Sequence, residues 1–471
     1  MRQRGYNVEK ISNGIFSEQT LASLQQVVED ILGKDKATVT IRNRQTGELL
    51  YTYRGNHLMR PASNMKILTG ATALDVLGKD YRFYTEIYID GELENGQLNG
   101  NVYIKGHGDP TISADDLLNF ANVLKQHGIE KINGQLLADE THFTGDTLPP
   151  GVDDEGETHY YGARVSPITM SPNSDYDAST IVVTAVPTII GQPPTFEGIP
   201  DLCGMKIINK ALTVAIGEEN TLEIRRTNGT DKIVILGNLP QDENAKVWVS
   251  MQDPALNTLT LLKTLCEQQG IQFLNSKSVA KALVQKDAKK IHTHASQTIE
   301  EMFSIYMKLS NNSIADIFAK TFGKLTYGVG NYEAGARVIR DYLQQQKIDF
   351  SAWQFVDGSG LSHGIRLSSN GISKLLFELQ KEPYFDIFFD SLPIGGNTNR
   401  EIGGTLKDRF LEPELANRIF AKTGYIHEVN TLSGYMTADS GENYIFSIML
   451  EGLDEGIPFL DAGLKKILTL L

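Results

Sequence analysis

Cysteine is scarce in this chain: two among 471 residues, Cys203 and Cys266. They lack C-x-x-C spacing and stand in no Cys/His cluster, which excludes a thiolate metal site and a disulfide scaffold. Two buried free thiols, or one pair formed in an oxidising compartment, both fit them. Positive charge is also in deficit, 44 Lys and Arg against 58 Asp and Glu, for a net charge of −14. That balance excludes the basic face a phosphate backbone requires, so no nucleic-acid partner is expected. No apolar run reaches the ~18 residues a membrane helix needs, so no transmembrane segment is expected either. The first residues, MRQRGYNVEKIS, carry no apolar h-region. The chain has no H-E-x-x-H and no P-loop. His292 and His294 lack a third ligand nearby in sequence and read as part of a solvated loop, as does the acidic run at 153–159. No metal is expected.

What is present is an ordinary globular composition, 41% hydrophobic and 22% charged. The length suits about three domains. Leu21, Leu24, Val27, Val28, Ile31 and Leu32 recur at helical spacing. Two strand patterns follow, ATVTIRN and ELLYTYRG, joined by a turn at Gln45-Thr46-Gly47. The far end mirrors this with RIFAKTGYI, TLSGYMTA and NYIFSIMLEG, joined by turns at HEVN and DSGE, before an amphipathic stretch from Ile457 that reads as a docked terminal helix. Each end is incomplete alone. Together they predict a five-stranded, mostly antiparallel sheet flanked by helices, an α/β (α+β) architecture. Helical patterns fill 301–390. Between them, about 81–291 is rich in short β runs and Gly/Pro turns and reads as an insertion. The expected division is a catalytic domain at 1–80 and 292–471, an inserted domain II at 81–184 and 251–291, and a nested small β domain III at 185–250.

The chemistry is concentrated in PASNMKILTG. Ser63 and Lys66 stand three apart, on one face of a helix. A serine hydroxyl is a poor nucleophile until a base takes its proton. A lysine amine is a base only when neutral, which burial and a second cation favour. S-x-x-K alone is commonly a surface serine and lysine. Here two further motifs follow in order. Ser310-Asn311-Asn312 lies between two helical patterns, where a plain loop with a helix cap would also place such residues. Lys422-Thr423-Gly424 lies on a strand, and Lys422 supplies the second cation. Gly424 would let a substrate backbone lie along that strand. The ordered trio S-x-x-K, S-x-N, K-T-G is the signature of penicillin-recognising serine acyltransferases.

Over almost its whole length the sequence resembles the class C low-molecular-mass penicillin-binding proteins, the D-alanyl-D-alanine carboxypeptidases/endopeptidases. The insertion carries Gly106-His107-Gly108-Asp109-Pro110 and HYYGARVSPITMSPNSDYD, and the second half carries Asp357-Gly358-Ser359-Gly360-Leu361-Ser362, LPIGG and Gly404-Thr405-Leu406 with Arg409. The resemblance implies a β-lactamase/transpeptidase-like catalytic domain. It implies Ser63 as nucleophile and Lys66 as base. Ser310 and Asn312 would relay protons and bind the substrate amide, while Lys422, Thr423, Gly424 and Tyr425 would bind substrate. Tyr425 stands where the family commonly has Ser or Thr. Backbone N–H groups of Ser63 and Tyr425 would form the oxyanion hole, worth roughly 3 kcal/mol per donor. The implied partners are peptidoglycan stem peptides ending in D-Ala-D-Ala and β-lactam antibiotics. The implied place is extracytoplasmic, with the export signal removed, and the chemistry needs no cofactor. Competing readings are a β-lactamase or esterase of the same superfamily, which the bulky insertion disfavours, and a non-catalytic wall-binding sensor, which a missing motif residue would favour; none is missing.

Overall fold

The computed structural model describes residues 16–275 and 277–471, so the polar N-terminal stretch read above lies outside it. The chain forms two compact units: Met1–Asp80, Ile299–Asn311 and Gly335–Leu471 make one, and Tyr81–Thr298 with Asn312–Ala334 make the other.

The first unit is built on a five-stranded sheet of β1 (Ala37–Asn43), β2 (Leu49–Tyr53), β3 (Ile419–Ile426), β4 (Val429–Thr437) and β5 (Asn443–Glu451). Their order is β2-β1-β5-β4-β3, antiparallel at every step, with β3 on an edge. Alternation decides what each face carries. Ala37, Val39 and Ile41 of β1, Leu432 and Met436 of β4, and Phe446 and Ile448 of β5 point to one side. They bury against α1 (Glu18–Val27) and the last helix, Ile457–Leu470, through Leu24, Leu464, Ile467 and Leu468. Each of the larger side chains among these contributes roughly 1.5–3 kcal/mol when fully buried. The terminal helix is therefore docked on its own unit. The helical pattern at the N-terminus forms, with Leu21 exposed near its start, and α1 passes into a single π-type turn over Val28–Gly33. That turn shifts the phase of the apolar stripe onto Val28 and Leu32.

The opposite face is equally buried and carries polar side chains among apolar ones. Thr38 and Thr40 lie there on β1, and Thr40 Oγ1 meets Ser369 Oγ at 2.9 Å. Thr431 and Ser433 of β4 and Lys422 and Gly424 of β3 share this face, since Lys422 pairs with Ser433 and Gly424 with Thr431. The expected four-residue turn after β3 is shorter. Ile426 pairs directly with Val429, which leaves a two-residue hairpin loop. Glu428 in that loop adopts a left-handed φ of 59°.

The second unit holds the short strands. Arg82–Ile89, Val102–Gly106, Leu136–Asp139, Val279–Lys281 and Lys289–Thr298 form one sheet, with four smaller sheets besides. Its core gathers Phe120, Leu124, Ile181, Val183, Ile233, Ile235 and Leu262. Cys203 and Cys266 are both buried, free thiols. His292 and His294 lie in the strand Lys289–Thr298, not in a loop, because their strand pairs with Arg82–Ile89 through His292↔Ile87 and His294↔Thr85. His294 Nε2 stands 3.6 Å from Asp109 Oδ2. Asp109 is buried, its Oδ1 accepting from Thr111 N and Thr111 Oγ1 at 2.7 Å each. Burial lifts its carboxyl from 3.8 to about 7. The acidic run 153–159 is likewise not all solvated: Glu157 is buried between Arg164 and Arg226.

Candidate active site

Ser63 lies in a single 3-10 turn, Ala62–Asn64, that leads into α2 (Met65–Val76). A 3-10 turn nearly eclipses positions i and i+3, which brings Lys66 under the hydroxyl more closely than a pure α-helix would. Lys66 Nζ donates to Ser63 Oγ at 3.0 Å and to Ser359 O at 2.8 Å. Lys66 is fully buried. Pro61 precedes the turn, and Ala62 holds a φ of 46°. That left-handed conformation costs on the order of 1 kcal/mol for a residue with a Cβ.

The segment 357–362 wraps this amine. The Asp357 carboxylate accepts from Gly360 N at 2.7 Å and Ser362 N at 2.8 Å. Thr69 Oγ1 donates to Gly358 O at 2.7 Å. Gly360 has a φ of 87°, and a Cβ there would stand 1.9 Å from Ala62 O. Only glycine fits such a position. Burial raises the Asp357 carboxyl above the usual value; the Gly360 and Ser362 amides, and then the charge of Lys66, offset part of that. The sequence alone assigns this segment no role; its repeated Gly and Ser spacing is the signal that a chain segment closes tightly over something.

Lys422 is fully buried on the inner face of β3, where a strand lysine ordinarily points to solvent. Its Nζ donates to Thr423 O at 3.0 Å. Burial holds its amine well below the usual lysine value, and the charge of Lys66 lowers it further. Thr423 lies on the other face of this edge strand, its hydroxyl donating to Thr405 Oγ1 at 2.7 Å. Gly424 serves a closer contact than expected: a Cβ there would meet Thr431 Oγ1 at 2.2 Å, Pro61 O at 2.8 Å and Ser63 N at 3.0 Å. The glycine lets β3 seat against the backbone of Ser63. Thr431 Oγ1 donates to Pro61 O at 2.8 Å, and Asn64 Nδ2 donates to Ser433 Oγ at 3.0 Å, fixing the turn to the sheet on both sides of Ser63. Tyr425 is 61% exposed.

Ser310 closes the helix α3 (Ile299–Lys308) in a left-handed conformation, φ 59°. Tyr306, one turn earlier, donates to Lys66 O at 2.9 Å, and Gly70 of α2 lets α3 cross closely. Lys308, which the sequence alone does not single out, is buried and donates to Leu392 O at 2.7 Å and Ile402 O at 3.0 Å; burial lowers it to about 8. Asn312 begins the next helix, Asn312–Tyr327, which belongs to the second unit, where its Nδ2 donates to Tyr161 O at 2.8 Å. Ser63, Lys66, Lys422 and Gly424 are thus brought together, Ser310 is anchored in the same unit, and Asn312 is held in the other.

A serine hydroxyl hydrogen-bonded to a buried amine, with a second buried amine on the adjacent strand, is an arrangement that can support acyl transfer. A family model described as D-Ala-D-Ala carboxypeptidase 3 (S13) matches residues 19–459. The chain is 32% identical over 419 residues to the D-alanyl-D-alanine carboxypeptidase of Actinomadura sp. (strain R39), covering 88% of this chain and 77% of that protein. In fold it is similar to penicillin binding protein 4 (dacB) from Haemophilus influenzae, with a TM-score of 0.80 at 21% identity over 94% of this chain and 98% of the other. The same protein complexed with a β-lactam gives a TM-score of 0.72 at 22% identity, over 91% and 93% of the two chains.

Proposed function

The chain belongs to the D-Ala-D-Ala carboxypeptidase 3 (S13) family and is a serine-type D-Ala-D-Ala carboxypeptidase; on that premise we propose that Ser63 is its nucleophile and Lys66 its general base. The observation that carries this is the 3.0 Å hydrogen bond from the buried Lys66 amine to Ser63 Oγ. To act, that amine must be neutral. Lys66 takes the Ser63 proton as the hydroxyl oxygen attacks the penultimate carbonyl of a stem peptide. The Ser63 and Tyr425 backbone N–H groups receive the developing oxyanion; the approach of Gly424 to Ser63 N supports this pairing. The C–N bond breaks, and D-Ala leaves as an amine after a proton reaches it through Ser310. Water then attacks the ester and frees Ser63.

The substrate carboxylate is held at β3 by the Thr423 hydroxyl, with Lys422 supplying positive charge from behind the strand. Asn312 binds the substrate amide. Peptidoglycan stem peptides are the substrates, and β-lactams acylate Ser63 as mimics of them. When the departing amine belongs to a cross-linked neighbouring stem, the same steps give endopeptidase activity. Such a substrate is extracytoplasmic, and so is the enzyme; no helix among the described residues is long and apolar enough to cross a membrane. The division into a catalytic domain (1–80, 292–471), domain II (81–184, 251–291) and domain III (185–250) belongs to the same proposal.

The test is labelling with a fluorescent penicillin alongside release of D-Ala from a D-Ala-D-Ala peptide. One label per chain, slow to leave, together with D-Ala release, is the expected result. Rapid turnover of penicillin without D-Ala release would make the chain a β-lactamase instead.

A further inference from the structure

Arg226 is fully buried in the second unit. Its Nε donates to Ser250 O at 2.9 Å, its Nη1 to Thr230 O at 3.1 Å, and its Nη2 to Glu157 O at 2.9 Å and Glu157 Oε1 at 3.3 Å. The other Glu157 oxygen accepts from Arg164 Nη2 at 2.7 Å. A buried arginine is retained only where its desolvation is offset by several well-placed acceptors. What this one grips is a short piece of chain folded into two successive 3-10 turns, Gly156–Thr158 and Tyr160–Gly162. The turns are in mutual contact: a Cβ on Gly162 would stand 2.3 Å from Gly156 O. His159, between them, bridges to Val249 of the strand Ala245–Ser250, next to the Ser250 that Arg226 holds. The second turn presents the Tyr161 carbonyl, which accepts from Asn312 Nδ2 at 2.8 Å.

We propose that Arg226 is a positioning residue for Asn312. Through Glu157 and the paired turns it fixes the Tyr161 carbonyl. That carbonyl in turn fixes the orientation of the Asn312 amide, deciding which end faces a substrate. The strand Glu223–Arg226, deep in the insertion, thereby sets the orientation of Asn312. This rests on the reading of Asn312 as the group that binds the substrate amide.

The test uses the whole chain and two probes that differ only in that amide: benzylpenicillin, which carries an acylamide side chain, and 6-aminopenicillanic acid, which does not. Acylation rates are measured for Arg226→Lys, which shortens the fork to a single ammonium, and for Gly162→Ala, which parts the turns without touching the charges. Both are expected to slow benzylpenicillin by roughly tenfold, inside the ~10²-fold that a misplaced group can cost, and to leave 6-aminopenicillanic acid unchanged. In an Asn312→Ala background neither substitution should cost more, because the coupled partner is gone. Equal losses for both probes, or losses that persist without Asn312, would make Arg226 a purely structural residue and overturn the inference. If Asn312→Ala itself fails to discriminate the probes, the amide-binding role of Asn312 is what falls. If it does discriminate and the two other variants do not, only the positioning role falls.

Discussion

Gly424 and Ser63 are in backbone contact: a Cβ on Gly424 would lie 3.0 Å from the Ser63 nitrogen and 2.2 Å from Thr431 Oγ1. The third motif of the sequence is thus a wall against which the first is built. Gly424→Ala must push β3 away from the turn or displace Thr431. Acylation by penicillin should fall by about 10²-fold or more, since angstrom-scale misplacement costs that much, with a lowered melting temperature. Wild-type acylation in this variant would show that the contact has no functional weight.

Ser63→Ala should remove penicillin labelling and D-Ala release together while leaving the protein folded. Lys66 keeps its bond to Ser359 O. The lost hydrogen bond therefore costs only about 1 kcal/mol of stability. Mass spectrometry after penicillin treatment checks this; a covalent adduct on the variant would place the nucleophile elsewhere.

Lys422→Gln separates charge from size. The repulsion between the two buried amines is mutual, so removing one cation should make Lys66 harder to deprotonate. The acid limb of the acylation pH profile should move to higher pH. Peptides with a free C-terminal carboxylate should lose far more activity than their amides. A profile that stays in place, with equal losses for acid and amide, would reduce Lys422 to a packing residue.

Asp109 carries a pH signature in stability. Its folded carboxyl titrates at about 7 against 3.8 unfolded, so between those values the native state holds a proton the unfolded chain releases. That stabilisation is complete below about pH 3.8 and is lost as pH rises toward about 7, at most about 4 kcal/mol. Asp109→Asn has no such dependence. Relative to wild type it should gain stability steadily from about pH 4.5 to about pH 7.5 in denaturant unfolding. Parallel stability curves would refute the assignment.

The catalytic sheet was legible because its strands alternate cleanly and its turns carry Gly, Asn and Asp, so two half-sheets at opposite ends could be seen to need each other. Ser63 and Lys66 were legible because their spacing is local. What a single sequence does not display is depth. Lys422 was legible as the second cation from its motif, but its complete burial shows only once the opposite face of the sheet is seen to be covered. Glu157 sits in an acidic run and reads as solvated until Arg226, distant in sequence, is placed against it. His292 and His294 read as loop because polar strands at a sheet edge lack the apolar alternation that betrays buried ones.

The pairing of Ala37 with Leu450 has a consequence for how the enzyme comes into being. Ser63 is made early, but β1 and β2 lack a central neighbour until the last strands are synthesised, with the inserted unit made in between. Closing so long a loop is slow, and contacts of such high sequence separation belong to the late steps of folding. The inserted unit, most of it one continuous segment, can form first and bring the two ends of the chain nearer. Ser63 therefore acquires its wall and the second buried amine only when the C-terminus arrives. A chain cut short before β3 carries the S-x-x-K sequence in full and has no site.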